Sequence, residues 1–354
     1  MLQHCENWER SKERFEALWQ NELLDRPTVC IHVDKTPGKP SLVDSLPANE
    51  AWRAYMDETF IQEELEESMA RTAYFGDAFP NKSLYLGTCA HGAYTKKVDY
   101  SVSSESVWLH PVMEEITDAL EFDENSVFLN ATSRIIDHLS KSNSGRFLIA
   151  NTDNCSNLDA LASIRGINNL LIDMMEEPEA VTACLETLDS ILRKTEEHFA
   201  KPILAANDNS TVTEFMRLWS SGYHHQLQCD MAAMISPDMF AEFAVPDLER
   251  SAAWMKRVVY HLDGQEQIRV LDQILGIKGI RLIQWTPVVG QPPTSAFIPE
   301  LQRIQAAGKG LVLFPKAKEL PALIEGLSPK GVHYCPTDVQ NEDEARAIMR
   351  LFEK

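Results

Sequence analysis

At 354 residues the chain exceeds one average domain but fits a single α/β barrel. Its 44% apolar and 24% charged content suit a globular protein with a sizeable core, and no run approaches the roughly 18 apolar residues of a membrane helix. With 33 Lys+Arg against 53 Asp+Glu, a net charge of −20 and no basic stripe, the surface repels phosphate backbones and anionic membranes, which argues against nucleic-acid and membrane partners.

The opening Met1-Leu2-Gln3-His4-Cys5-Glu6 has neither a basic nor an apolar signal region, so no secretory signal is read. The seven cysteines, Cys5, Cys30, Cys89, Cys155, Cys184, Cys229 and Cys335, are odd in number and form no CxxC pair. That pattern suits a reducing cytoplasm and not a disulfide framework.

Trp8, Phe15, Leu18, Trp19 and Leu23 recur at helical spacing within residues 1–24, predicting an amphipathic helix that Leu24-Asp25-Arg26-Pro27 stops. Thr28–Val33 reads as a strand, 35–50 as a Pro-, Gly- and Ser-rich loop, and 51–72 as a helix whose Glu63, Glu64, Glu66 and Glu67 form a solvated face. From 75 to 112 the chain is aromatic and irregular, including Tyr85-Leu86-Gly87. A strand over 146–151 follows, then a helix from about 157 and a long one over 178–200. Trp219-Ser220-Ser221-Gly222-Tyr223-His224-His225 suggests a loop lining a cavity, while Ser236-Pro237-Asp238 carries the cap, proline and acid of a helix start. Strands end at Leu262, Trp285, Phe314 and Cys335, before a last helix over about 341–353.

Strand alternating with helix implies a parallel sheet covered on both faces. About eight such units predict a (β/α)8 TIM barrel in one domain, with 1–75 as an N-terminal helical extension and 76–354 as the barrel. Barrel chemistry collects at the C-terminal ends of the strands. Those ends carry Asn151, Asp153, Asp230, His261, Asp263, Gln284, Trp285, Lys316, Cys335 and Asp338. Each has a plainer role to weigh: Asp153 or Asp338 as a helix cap, Trp285 as core. No GxGxxG, GxxxxGK[ST] or GxSxG motif occurs.

Val258-Val259-Tyr260-His261-Leu262-Asp263-Gly264 is the most informative stretch. Residues i and i+2 of a strand share a face, so His261 and Asp263 address one point. With Cys335 at a later strand end they offer imidazole, carboxylate and thiolate, a zinc-ligand set that leaves a fourth position open. The plain alternative is a chance His-x-Asp and a buried small cysteine.

Several pieces resemble the uroporphyrinogen decarboxylase superfamily. They are Cys229-Asp230-Met231, Ile235–Phe243 with Pro246, Tyr260-His261-Leu262-Asp263-Gly264, Ile283-Gln284-Trp285 and the upstream Arg165-Gly166. The resemblance spans about 145–354 and implies a (β/α)8 barrel. The arginine-rich N-terminal signature of the true decarboxylases is missing, since Asp25-Arg26-Pro27 does not supply it. The chain looks more like the corrinoid-dependent methyltransferase branch, whose zinc is held by a His-x-Cys pair and a later cysteine. Here Asp263 stands in the first cysteine's position, which makes a bound metal harder.

The resemblance thus implies a cytoplasmic methyltransferase. Zn2+ would sit on His261, Asp263 and Cys335, with a corrinoid carried by a separate partner protein. Asp230, His261 and Asp263 would be catalytic, and Asp153, Trp219, Tyr223, Gln284 and Trp285 would contact a small substrate. Two rivals remain: a metal-free carboxy-lyase using Asp263 and His261 as an acid/base pair, and a non-catalytic tetrapyrrole- or corrinoid-binding protein.

Overall fold

In the computed structural model the described residues are Leu2, Cys5, 7–84 and 90–353. The expectation over Tyr85-Leu86-Gly87, and Cys89, fall outside them. The chain opens with α1 (Trp8–Trp19), β1 (Thr28–Asp34), α2 (Glu58–Arg71), β2 (Thr72–Gly76) and β3 (Asn81–Lys82). A hairpin of β4 (Asp99–Val102) and β5 (Val107–His110), then α3 (Val127–Ser142), lead to β6 (Leu148–Ile149). Next come α4 (Asn157–Arg165), α5 (Ile167–Glu176), α6 (Pro178–Ala206), and a second hairpin of β7 (Ser210–Thr213) and β8 (Leu218–Ser221). The last part alternates: β9 (His225–Gln228), α7 (Val245–Trp254), β10 (Val258–Leu262), α8 (Leu271–Gly276), β11 (Ile280–Trp285), α9 (Ile298–Ala306), β12 (Gly310–Leu313), α10 (Leu320–Gly326), β13 (Val332–Tyr334) and α11 (Glu342–Met349).

Many boundaries have a local cause. Asp57, Ser126, Ser156, Ser236 and Asn341 accept hydrogen bonds from the first turns of their helices, satisfying otherwise orphaned amides. Asp57 splits the helix expected over 51–72. Ser156 and Asn341, and not Asp153 and Asp338, cap the helices that follow them.

Strands β9 to β13 run parallel in order and β13 pairs in parallel with β1, while β2 lies antiparallel on the other edge of β1. Strands β3 and β6 form a separate parallel pair. Eight parallel strands (β1, β3, β6 and β9–β13) thus stand in barrel order among the described residues, but the sheet is not closed by a continuous ladder. Isolated hydrogen bonds outside any ladder span the two breaks. Asp77 N donates to Val29 O (2.7 Å) on one side, and Asn151 Nδ2 donates to His224 O (2.9 Å) on the other. The closed barrel expected from the rhythm is therefore corrected to a barrel-like sheet. Two insertions give the reason: β2 occupies the free edge of β1, and the β7–β8 hairpin takes Asn151 N through Val212 O (2.7 Å).

That hairpin lies within the barrel. Its Val212, Met216, Leu218 and Trp219 share one buried cluster with Cys30, Leu148, Ala150, Val259, Leu282, Val312 and Cys335 from the surrounding strands. Phe15, Leu18 and Trp19 of α1 close the cluster from the N-terminal side. Trp19 Nε1 donates to Trp219 O at 3.0 Å. The outward strand residues, including Tyr260, Leu262, Ile283 and Trp285, join a larger core beneath the helices. No helix among the described residues is long and apolar enough to cross a membrane.

Candidate active site at the strand ends

The inward positions of β10 and β11 carry Val259, His261 and Asp263 beside Leu282, Gln284 and Thr286. Pairing of His261 with Gln284 places imidazole and amide together, and Nδ1 of His261 hydrogen-bonds Gln284 Oε1. Thr286 Oγ1 lies 3.2 Å from the same nitrogen and receives Gln284 Nε2 at 3.1 Å. A carbonyl oxygen can only accept, so Nδ1 carries the proton and Nε2 is left as the basic nitrogen.

Around this histidine the structure gathers carboxyl groups. Asp153 follows β6, Asp230 follows β9 and Asp263 follows β10. Burial pushes the Asp153 pKa up to about 7; the charges of Asp230 and Glu214 add to this, and hydrogen bonds from Gln226 and the Asn154 amide oppose it. One Asp153 oxygen, Oδ1, is buried without a hydrogen-bond partner. Asp230 is open to the mouth, yet enclosure by its walls raises its pKa, with Asp263 adding to the rise and His261 opposing it. Asp159 at the base of the group is raised to about 7, again by burial first and by Asp230 second. It accepts the amides of Asp230 and Met231 at 3.1 and 2.9 Å, and so fixes the loop that presents Asp230.

The hairpin turn supplies two residues that strand-end reading does not reach. Glu214 faces the mouth, its pKa raised by burial against the pull of Lys82 and Arg217. The Phe215 ring meets His261 edge-on, with centroids 5.7 Å apart. The turn is held by Arg217, which has a φ of 50° and donates to Cys30 O at 3.2 Å. His32 of β1 meets Tyr74 edge-on, with centroids 5.1 Å apart, and leaves Nε2 buried without a partner. The alternation of Cys30 and His32 along β1 signalled the inward histidine; nothing in the sequence signalled that the hairpin enters the barrel.

Other expected site residues lie elsewhere. Trp219 is in the floor, against Trp8 and Phe15. Tyr223 packs on His225, whose Nδ1 lies 3.1 Å from Glu196 on α6, outside the sheet. Trp285 is 1% exposed and packs on Phe297. None of these three walls the mouth. His224 is pinned between the Thr211 and Thr213 hydroxyls at 2.7 and 2.8 Å and fastens the hairpin to β9.

Cys335 is fully buried. Its Sγ is 3.1 Å from His333 Nε2 and 3.7 Å from Met216 O. The hairpin turn therefore meets Cys335 through Met216 and His261 through Phe215. Among the described residues no three His, Cys, Asp or Glu side chains converge as a metal-holding group. His261, Asp263 and Cys335, so arranged, do not fit the zinc expected on them, because tetrahedral ligation needs all three donors within about 2.0–2.3 Å of one point.

No protein-family model matches the chain, and no curated protein matches its sequence significantly. A solved methyltransferase from Methanosarcina mazei is similar in structure, with a TM-score of 0.58 over 96% of this chain and 97% of that one, at 12% sequence identity. At that identity the similarity establishes the shared fold.

Proposed function

We propose that the chain is an enzyme that transfers a methyl group to or from a small molecule at the strand-end mouth, with Asp153 and Asp230 moving the accompanying proton. The observation that carries this is the half-buried Asp153 carboxyl, pushed up to about 7, whose Oδ1 is enclosed and without a hydrogen-bond partner. Loss of methyl from oxygen or sulfur leaves an anion, and a carboxyl that is half protonated near pH 7 can donate to it. In the reverse direction the carboxylate takes the proton of an attacking hydroxyl or thiol. His261 Nε2 and Asp263 orient the substrate. The name of the similar solved structure favours methyl transfer over other proton-coupled chemistry. The methyl carrier comes from outside the chain, and the corrinoid protein implied by the resemblance is the first to assay.

A carboxy-lyase is the second reading, favoured by the same protonated Asp153, which could quench a carbanion as carbon dioxide leaves. One assay separates them. Methylated alcohols, thiols and amines are incubated with a corrinoid protein, and small acids are followed for carbon dioxide release. Methyl transfer that drops about 10²–10⁴-fold in Asp153→Asn supports the proposal. Carbon dioxide release with the same sensitivity favours the lyase. Turnover unchanged in both Asp153→Asn and Asp230→Asn contradicts both.

A further inference from the structure

A cavity of about 520 Å³ opens at the C-terminal ends of β11, β12 and β13, within the range of small-ligand sites. The loop 287–293 forms one wall and Phe314, Lys316, Lys318, Glu319 and Thr337 the other. The same loop touches the catalytic turn, since Gln291 Oε1 accepts Gln265 N at 3.0 Å just beyond Asp263-Gly264. The cavity is therefore neighbour to the mouth but is built by different residues.

Its lining is unusual for this chain. The protein carries a net charge of −20, yet two lysines rim one cavity, and among the described residues neither ammonium has an ion-pair partner. The carboxylates beside the lysines, Glu319 of the cavity wall and Asp338, are held by backbone and hydroxyl donors and not by the ammonium groups. Glu319 accepts Ser295 N (3.0 Å), Ser295 Oγ (3.2 Å) and Lys316 N (2.7 Å), and Asp338 accepts Ala317 N (2.7 Å). A second observation comes from Thr294. It lines the cavity at 1% exposure, and its hydroxyl has no hydrogen-bond partner. A buried hydroxyl left unpaired costs stability, so its retention calls for a ligand that completes it.

We infer that this cavity binds a small oxyanion group, a phosphate or carboxylate, through the Lys316 and Lys318 ammonium groups and the Thr294 hydroxyl. Charge-assisted hydrogen bonds from the two lysines supply most of the affinity, and Thr294 donates the contact that water-exposed lysines alone cannot provide. The site stands whichever reaction the mouth performs.

The test is calorimetric titration at fixed ionic strength with inorganic phosphate and with succinate. The wild type should bind at one saturable site. The Lys316→Ala/Lys318→Ala double variant should bind at least tenfold more weakly, and Lys201→Ala, an exposed lysine on α6, should match the wild type. Thr294→Val should weaken binding severalfold while raising the thermal midpoint, because it removes an unpaired buried hydroxyl. Absence of saturable binding to the wild type, or binding by the double variant within twofold of wild type, would overturn the inference. Binding is read without turnover, so this site and the Asp153 chemistry can fail separately.

Discussion

Cys335 Sγ sits 3.1 Å from His333 Nε2, two residues back on the same strand, and His333 Nδ1 is in turn 2.8 Å from Thr28 Oγ1. The thiol closes a buried hydrogen-bonded chain in the barrel interior. Burial pushes its pKa up to about 12, so it is a neutral packing group there. Cys335→Ala should therefore keep turnover within a few-fold of wild type and lose about 1 kcal/mol of stability. Steady-state assays with denaturant titration check both. Loss of activity together with loss of stoichiometric zinc would restore the metal reading.

Asp153 makes stability fall as pH rises. Its folded-state pKa of about 7 exceeds the ordinary value of 3.8, so the folded protein binds the extra proton and is favoured at low pH. That advantage is lost between about pH 4 and pH 7. Asp153→Asn has no such titration. Its denaturant midpoint should equal that of the wild type near pH 4.5 and exceed it at pH 8. Parallel midpoint curves would contradict the burial of a titrating carboxyl at this position.

On the N-terminal side, Asp77 carries a structural load. Its fully buried carboxylate accepts Ser11 Oγ (2.7 Å), Arg14 Nη1 (2.9 Å), Arg26 Nη1 (2.7 Å) and Val29 N (3.0 Å). It thereby ties α1, β1 and the segment before β3. Asp77→Ala takes the buried carboxylate from Arg26 and Arg14, of which Arg14 keeps Asp25, leaves the Val29 amide unpaired, and should cost roughly 3–5 kcal/mol. Urea unfolding measures this, and a loss below 1 kcal/mol would mean that solvent replaces the carboxylate.

The strand ends were legible because alternation and a following loop mark them. His261 and Asp263 stand at the end of β10 as period-two reading places them, and Asp153 and Asp230 follow β6 and β9 at strand ends. Trp219 and Trp285 were expected as substrate contacts, with core the plainer role of Trp285, and the structure buries both for a physical reason. A strand buried on both faces is apolar throughout, so composition cannot tell the lumen side from the helix side. Trp285 belongs to the helix side. The hairpin was missed because two four-residue strands around Glu214–Arg217 give too little alternation to register, and Gly222-Tyr223 within Trp219–His225 reads as a loop lining a cavity. With it went Glu214 and Phe215, and the contacts that separate His261 from Cys335. The Lys316 strand end was read correctly, but its cavity depends on the loop 287–293, whose course no local pattern fixes.

The most direct test of the central claim is a carbon-13 NMR titration of the Asp153 carboxyl, assigned by comparison with Asp153→Asn. The arrangement predicts a midpoint near 7 that moves down in Asp230→Asn, as one neighbouring charge is removed. A midpoint near 4, unmoved by Asp230→Asn, would contradict the proposal that Asp153 is the proton donor of this enzyme.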